Sequence, residues 1–215
     1  MPAREIRLPG QSFMILRLRA KSLNGIVAAL ILVSSAAGIW GAVTLNVPSF
    51  TEDAGQPTTL AQFLPIVTGS LVAFSCRSAM SDFEDAAPRR RVREQWDLLA
   101  LAFVVAAGVQ TLSLIWTKSD LAATGFRDYL GYVGASITSV TLLGSDRFWV
   151  APLALAFPAF FVASSTGTYP GALWSWPTLP VENMESWVVA LLWAVLGTVA
   201  FHYRTHPRIV KLRVR

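Results

Sequence analysis

The sequence predicts an all-α, polytopic membrane protein with six transmembrane helices, both termini in the cytoplasm, and an amphipathic helix at the membrane interface before the first span. Three observations lead there. Of 215 residues, 53% are hydrophobic and only 14% charged, an apolar excess too large for one ordinary soluble domain. Cutting the chain at its charged residues leaves six charge-free stretches, 22–51, 54–76, 98–117, 129–145, 148–181 and 186–203. Each holds a segment of roughly 17–25 residues, the length that crosses hydrocarbon. With the amino terminus inside, 16 of the 18 basic residues fall on the cytoplasmic side and only Lys118 and Arg127 outside, as the positive-inside rule requires.

Orientation therefore accounts for the formal net charge of +5, and nucleic acid is not among the expected partners. With Cys76 the only cysteine, a disulfide-stapled secreted domain is excluded. Tryptophan, which favours the headgroup level, marks both boundaries. Trp40, Trp116, Trp174, Trp176 and Trp187 fall at or beyond outer span ends, Trp96 and Trp149 at inner ends, and Trp193 alone lies mid-span.

Residues 1–21 are basic and patterned. Pro9 and Gly10 mark a start, after which Phe13, Leu16, Ala20 and Leu23 recur at helical spacing while Arg17 and Lys21 lie four apart on another face, as in a helix in the headgroup plane that either anchors and orients the first span or touches a cytoplasmic partner. No cleavable signal peptide is expected, because this stretch has no uninterrupted apolar core. The transmembrane domain, 22–203, begins with a span over 22–45, where Ser34, Ala37, Gly38, Gly41 and Ala42 form small-xxx-small pairs suited to close helix packing. The second span covers 57–76.

The cytoplasmic loop 77–97 follows. Ser81 and Glu84 fit a capping box, and Pro88 disfavours helix at Ala87, so a short helix ends there and a second begins. The first carries Asp82, Glu84 and Asp85 around Phe83. The second carries Arg89, Arg90, Arg91 and Arg93, which anionic lipid headgroups attract while repelling the three carboxylates. The acidic piece is thus held off the membrane, where either a protein docks on it or the loop is a solvated connector whose charges only enforce topology.

Gln110 is the most polar side chain deep in the third span, 98–117, and an interhelical hydrogen bond is its expected use. The fourth span, 129–145, places Gly131 four before Ala135 and carries Ser136, Thr138, Ser139 and Thr141. These hydroxyls either bond to carbonyls of their own helix or, with Gln110, line a pathway. The fifth span, 148–164, contains Pro158, a kink position. Residues 165–184 form an outer segment whose prolines and polar groups keep it from crossing. The sixth span covers 186–203, and a basic tail, 204–215, follows. No Asp, Glu, Lys or Arg lies inside any span, which offers no proton relay.

This arrangement resembles the permease subunit of a type-two ABC exporter over nearly the whole chain. The likeness lies in the amphipathic start, six spans, the short charged helix after the second span, and the outer segment between the fifth and sixth. It implies that Ser81, Asp82, Phe83, Glu84, Asp85, Ala86 and Ala87 form a coupling helix docking on a separate ATPase subunit, with residues 13–20 at the interface beside it. It also implies a second permease subunit, the same chain or another, and ATP and magnesium on the ATPase partner. No cofactor is expected in this chain. The phosphate-cradling pattern GxxxxGK[ST] has no counterpart around Lys21, Lys118 or Lys211, so the chain is not expected to be an enzyme itself.

Two alternatives share the composition. One is a non-transporting membrane subunit that anchors or regulates a complex. The other is an intramembrane protease using Ser136 and His202, but those residues differ in depth by roughly 13 Å at ~1.5 Å per residue, whereas a nucleophile and base need about 3 Å. Two histidines, His202 and His206, without a third ligand make a weak metal site.

Overall fold

The structure is a computed structural model and describes residues 23–41, 43–47, 56–75, 88–117, 119–161 and 175–205. Its principal helices are α1 (Leu23–Trp40), α2 (Leu64–Phe74), α3 (Pro88–Thr117), α4 (Ser119–Leu143), α5 (Val150–Phe161) and α6 (Met184–Thr205). Between α1 and α2 lies an antiparallel hairpin of β1 (Thr44–Val47) and β2 (Gln56–Thr59), with Thr44 opposite Thr59 and Val47 opposite Gln56.

The side-chain contacts fix the directions of the helices. Phe63 stacks on Phe160 at 4.5 Å while Phe74 meets Phe148 edge-on at 5.3 Å, so α2 and α5 run antiparallel. Gln110 reaches Gly125, and Phe103 packs on Tyr129, which sets α3 against α4. Arg127 reaches Ser186, and Arg204 reaches Val140, so α4 and α6 run parallel. The amide of Leu60 donates to the Val43 carbonyl at 3.0 Å and brings the end of α1 to the start of α2. One end of the bundle thus carries the hairpin, Gly125 and the turn at 176–183. The other carries Trp96, Gly144, Arg147 and Arg204.

Local chemistry explains the element ends. The Thr59 amide donates to Gln62 Oε1 at 3.2 Å ahead of α2, whose first turn holds Pro65, a residue that needs no amide partner there. Pro88 takes the first position of α3 for the same reason. Gly144, at φ 101°, ends α4 in a region side chains avoid, and its amide closes onto the Val140 carbonyl at 3.2 Å. Asn183 caps α6 by accepting the Ser186 amide on Oδ1 at 3.1 Å.

The central helix is α4, in which every residue from 131 to 140 is buried, so it has no outward face over that stretch. It meets α6 backbone to backbone at Gly134 and Gly197, where a Cβ on either would collide with the other helix's main chain. One apolar cluster gathers Leu30, Val72, Leu99, Ala106, Val133 and Phe201, and a second gathers Ile66, Tyr132, Phe160, Trp176 and Ala190.

The helical class expected from the sequence is observed, with different boundaries. Helix α1 stops at Trp40, and the hairpin takes positions 44–45 and 57–59 that the hydropathy pattern assigned to span ends, because β-branched Thr44, Val47, Thr58 and Thr59 pair across it. Helix α4 begins at Ser119, ten residues before the expected start, and so includes Arg127 and Asp128. Trp176 is fully buried rather than part of an interfacial belt. Among the described residues one helix, over Met184–Arg204 with mean hydropathy 1.7, is long and apolar enough by composition to cross a membrane, while Leu64–Phe74 and Leu99–Leu112 are shorter apolar stretches.

Candidate functional site

The most constrained chemistry lies where α4 passes beneath the turn before α6. Arg127 and Asp128 are both fully buried. The guanidinium binds Asp128 Oδ1 through Nε and Nη2, each at 2.8 Å. Its other donors reach out of the helix, with Nη2 donating to the Pro177 carbonyl at 3.2 Å and Nη1 to the carbonyls of Leu179 and Pro180 at 3.0 and 3.2 Å and to Ser186 Oγ at 2.8 Å. One side chain therefore holds α4, the turn and the capped start of α6 together. A planar five-donor group suits this work, since no other side chain reaches so many carbonyls at once.

Below this clamp, polar atoms line one face of α4. Asp128, Tyr132 and Ser136 are spaced four apart, which puts them in one row. Asp128 Oδ2, Tyr132 Oη and Ser136 Oγ have no hydrogen-bond partner among the described residues, and neither does the buried Trp176 Nε1. The Trp176 and Tyr132 rings lie 5.3 Å apart, and the Trp176 ring fills the space that a side chain at Gly131 would need. Buried atoms of this kind are where water or a ligand's polar group finds its bonds. The row offers one carboxylate acceptor, one indole donor and two hydroxyls that serve either way.

Towards α3 the polar groups are paired. The Thr68 hydroxyl donates to Gln110 Oε1 at 2.7 Å, and Gln110 Nε2 donates to the Gly125 carbonyl at 2.8 Å, joining α2, α3 and α4. This is the interhelical use expected of Gln110. Tyr129 Oη donates to the Phe103 carbonyl at 2.9 Å.

The other residues named as pathway lining divide by role. Thr138 and Thr141 donate to the carbonyls of Gly134 and Ile137 in their own helix, each at 2.8 Å. Ser139 donates to the Arg147 carbonyl and ties the end of α4 to the turn that follows. Ser136 alone is left facing the interior unbonded. It forms no hydrogen bond to His202, which is exposed near the end of α6 with its ring 6.4 Å from that of Trp96. Among the described residues no group of three His, Cys, Asp or Glu could hold a metal ion.

Arg89, Arg90, Arg91 and Arg93 occupy the first two turns of α3. The interface-helix residues Phe13, Leu16, Arg17, Ala20 and Lys21 and the coupling residues Ser81, Asp82, Phe83, Glu84, Asp85, Ala86 and Ala87 lie outside the described residues.

Sequence reasoning placed Arg127 outside as a topology charge and missed the clamp. The signal was there: an adjacent Arg127-Asp128 pair, neutral as a unit, sits between Leu121–Phe126 and the charge-free run from Tyr129, with helical pattern on both sides. Comparison with protein-family models, with curated proteins and with solved structures finds no match.

Proposed function

We propose that this chain is the membrane-spanning subunit of an ATP-driven exporter of the ABC kind, crossing the bilayer six times with both ends in the cytoplasm and coupled to a separate ATPase through residues 77–97. The observation that carries the membrane part is the reversal of polarity between inside and outside. Large apolar side chains point outward on several helices, as with Leu192 on α6 at 62% exposure, Val104 on α3 at 65% and Leu32 on α1 at 70%. The groups withdrawn from the surface include Arg127, Asp128, Gln110 and Thr68. Only 28% of the most apolar window of α6 is buried, whereas the core helix of a water-soluble protein is mostly covered. Water penalises such a surface and hydrocarbon does not.

The transport part rests on the likeness in organisation and on the charge order of the loop, three carboxylates ahead of four arginines. A chain that contributes half of a pathway needs a partner across its exposed faces, and the outward apolar sides of α3 and α6 provide surface for one. The test is purification with native neighbours in a gentle detergent. An ATPase subunit is expected to co-purify with the unaltered chain and to be lost when Asp82, Glu84 and Asp85 are all replaced by Lys. Recovery of no ATPase from the unaltered chain overturns the exporter reading.

A second reading, a non-transporting anchor, is favoured by one observation: Thr138 and Thr141 bond within their own helix and Gln110 bonds across helices, which is packing rather than pore chemistry. Under that reading a partner is recovered whether or not the three carboxylates are reversed.

A further inference from the structure

The Asp128 carboxylate is held by one oxygen only. Both guanidinium donors that reach it, Nε and Nη2 of Arg127, end on Oδ1, each at 2.8 Å, whereas a guanidinium fork commonly spans both carboxylate oxygens. Oδ2 is left with no partner among the described residues. Ser136, two turns on, behaves alike. A helical hydroxyl can bond to the carbonyl four residues back, as Thr138 does to Gly134 at 2.8 Å, yet Ser136 Oγ leaves that bond unmade. Between them stand Tyr132 Oη and, on the ring packed against it, Trp176 Nε1, both equally unbonded.

The needs of these atoms select the occupant. A carboxylate oxygen takes a donor, an indole N–H takes an acceptor, and a hydroxyl takes either. Water supplies both. All four residues are fully buried, so none presents a surface to a large ligand, and enclosed polar atoms of this kind are where single waters are held. Arg127 already neutralises Asp128, so an ion would bury a charge without a counter-charge. A ring or chain against Gly131 is excluded, because the Trp176 ring occupies the space of even a Cβ there. Asp128 and Ser136 are eight residues apart, about 12 Å along the helix at ~1.5 Å per residue. One water bridging two partners through bonds of about 2.8 Å covers about 6 Å. A single water does not serve both ends.

We propose that α4 carries a file of at least two bound water molecules, one bonded to Asp128 Oδ2 and one to Ser136 Oγ, with Tyr132 Oη between them and the Trp176 indole donating to one of them. The file is a hydrated seam inside the bundle, reaching from the Arg127 clamp to the middle of α4, and it forms whether or not the chain transports anything.

Radiolytic labelling of the full chain in detergent tests this, because hydroxyl radicals made at a bound water attack the side chain beside it. Mass spectrometry is expected to find Tyr132 and Trp176 labelled severalfold faster than Tyr129, which is as deeply buried but donates its hydroxyl to the Phe103 carbonyl at 2.9 Å. Ser136→Ala removes one partner and is expected to lower the label on Tyr132 severalfold. Ser136→Thr keeps the hydroxyl and is expected to keep the label. Tyr132 labelled no faster than Tyr129, or at a rate indifferent to Ser136→Ala, overturns the file. If Ser136→Ala does not fold, a crystal structure of the unaltered chain decides. Ordered waters within about 3.2 Å of both Asp128 Oδ2 and Ser136 Oγ are expected, and protein atoms or empty space in those places overturn the proposal.

Discussion

Replacing Arg127 with Leu removes the donors that tie the carbonyls of Pro177, Leu179 and Pro180 to α4 and leaves the Asp128 carboxylate buried without its counter-charge. Breaking a buried pair from one side costs roughly 3–5 kcal/mol, whereas removing both charges together is often near neutral. Arg127→Leu is therefore expected to lower unfolding stability by about that amount. The double variant Arg127→Leu, Asp128→Leu is expected to recover part of it, but not all, because the carbonyls of Pro177, Leu179 and Pro180 still lose their donor. Denaturant titration in mixed micelles, read by tryptophan fluorescence, compares the two. A double variant no better than the single one shows that the carboxylate is not what makes the single loss severe. Gly144 is a second sensitive residue, since its φ of 101° is costly for any side chain, and Gly144→Ala is expected to lose about 1–3 kcal/mol in the same titration.

Between elements, the paired groups at Thr68, Gln110 and Gly125 lock three helices at one level. A double-mutant cycle on Thr68→Val and Gln110→Leu isolates the bond between the two side chains, with an expected coupling of about 0.6–1.7 kcal/mol for polar pairs in membranes. Additivity within about 0.3–0.5 kcal/mol shows that the pair does not couple. The interhelical role of Gln110 was legible in the sequence because a lone amide in an apolar run has few other uses. The hairpin was not, since residues 44–47 pair with 56–59 only once the chain has turned back, and hydropathy alone reads both as span ends. Nor was the close approach of Gly134 to Gly197, which depends on which face of α6 meets α4. The Arg127–Asp128 clamp was missed because dividing the chain at charged residues treats each charge as a boundary, while an adjacent opposite pair can bury itself and continue the helix.

At the scale of the molecule, the alternating directions of α1 to α6 leave the hairpin at one end and the turn containing Asp146 at the other. If the bundle crosses a bilayer, those two points face opposite aqueous compartments, and the arginine distribution assigns the Asp146 side to the cytoplasm. Cys76 is the only cysteine, so Cys76→Ser gives a background in which single cysteines report their own side. Asn46 and Asp146 are both exposed, so each position is open to reagent. In intact cells Asn46→Cys is expected to react with a membrane-impermeant maleimide at once. Asp146→Cys is expected to react only after permeabilisation. The reverse order inverts the topology and removes the carboxylates at 82–85 from any cytoplasmic ATPase. Equal reaction of both in intact cells means that no bilayer separates the two ends, and the outward apolar faces then need a protein partner in place of lipid.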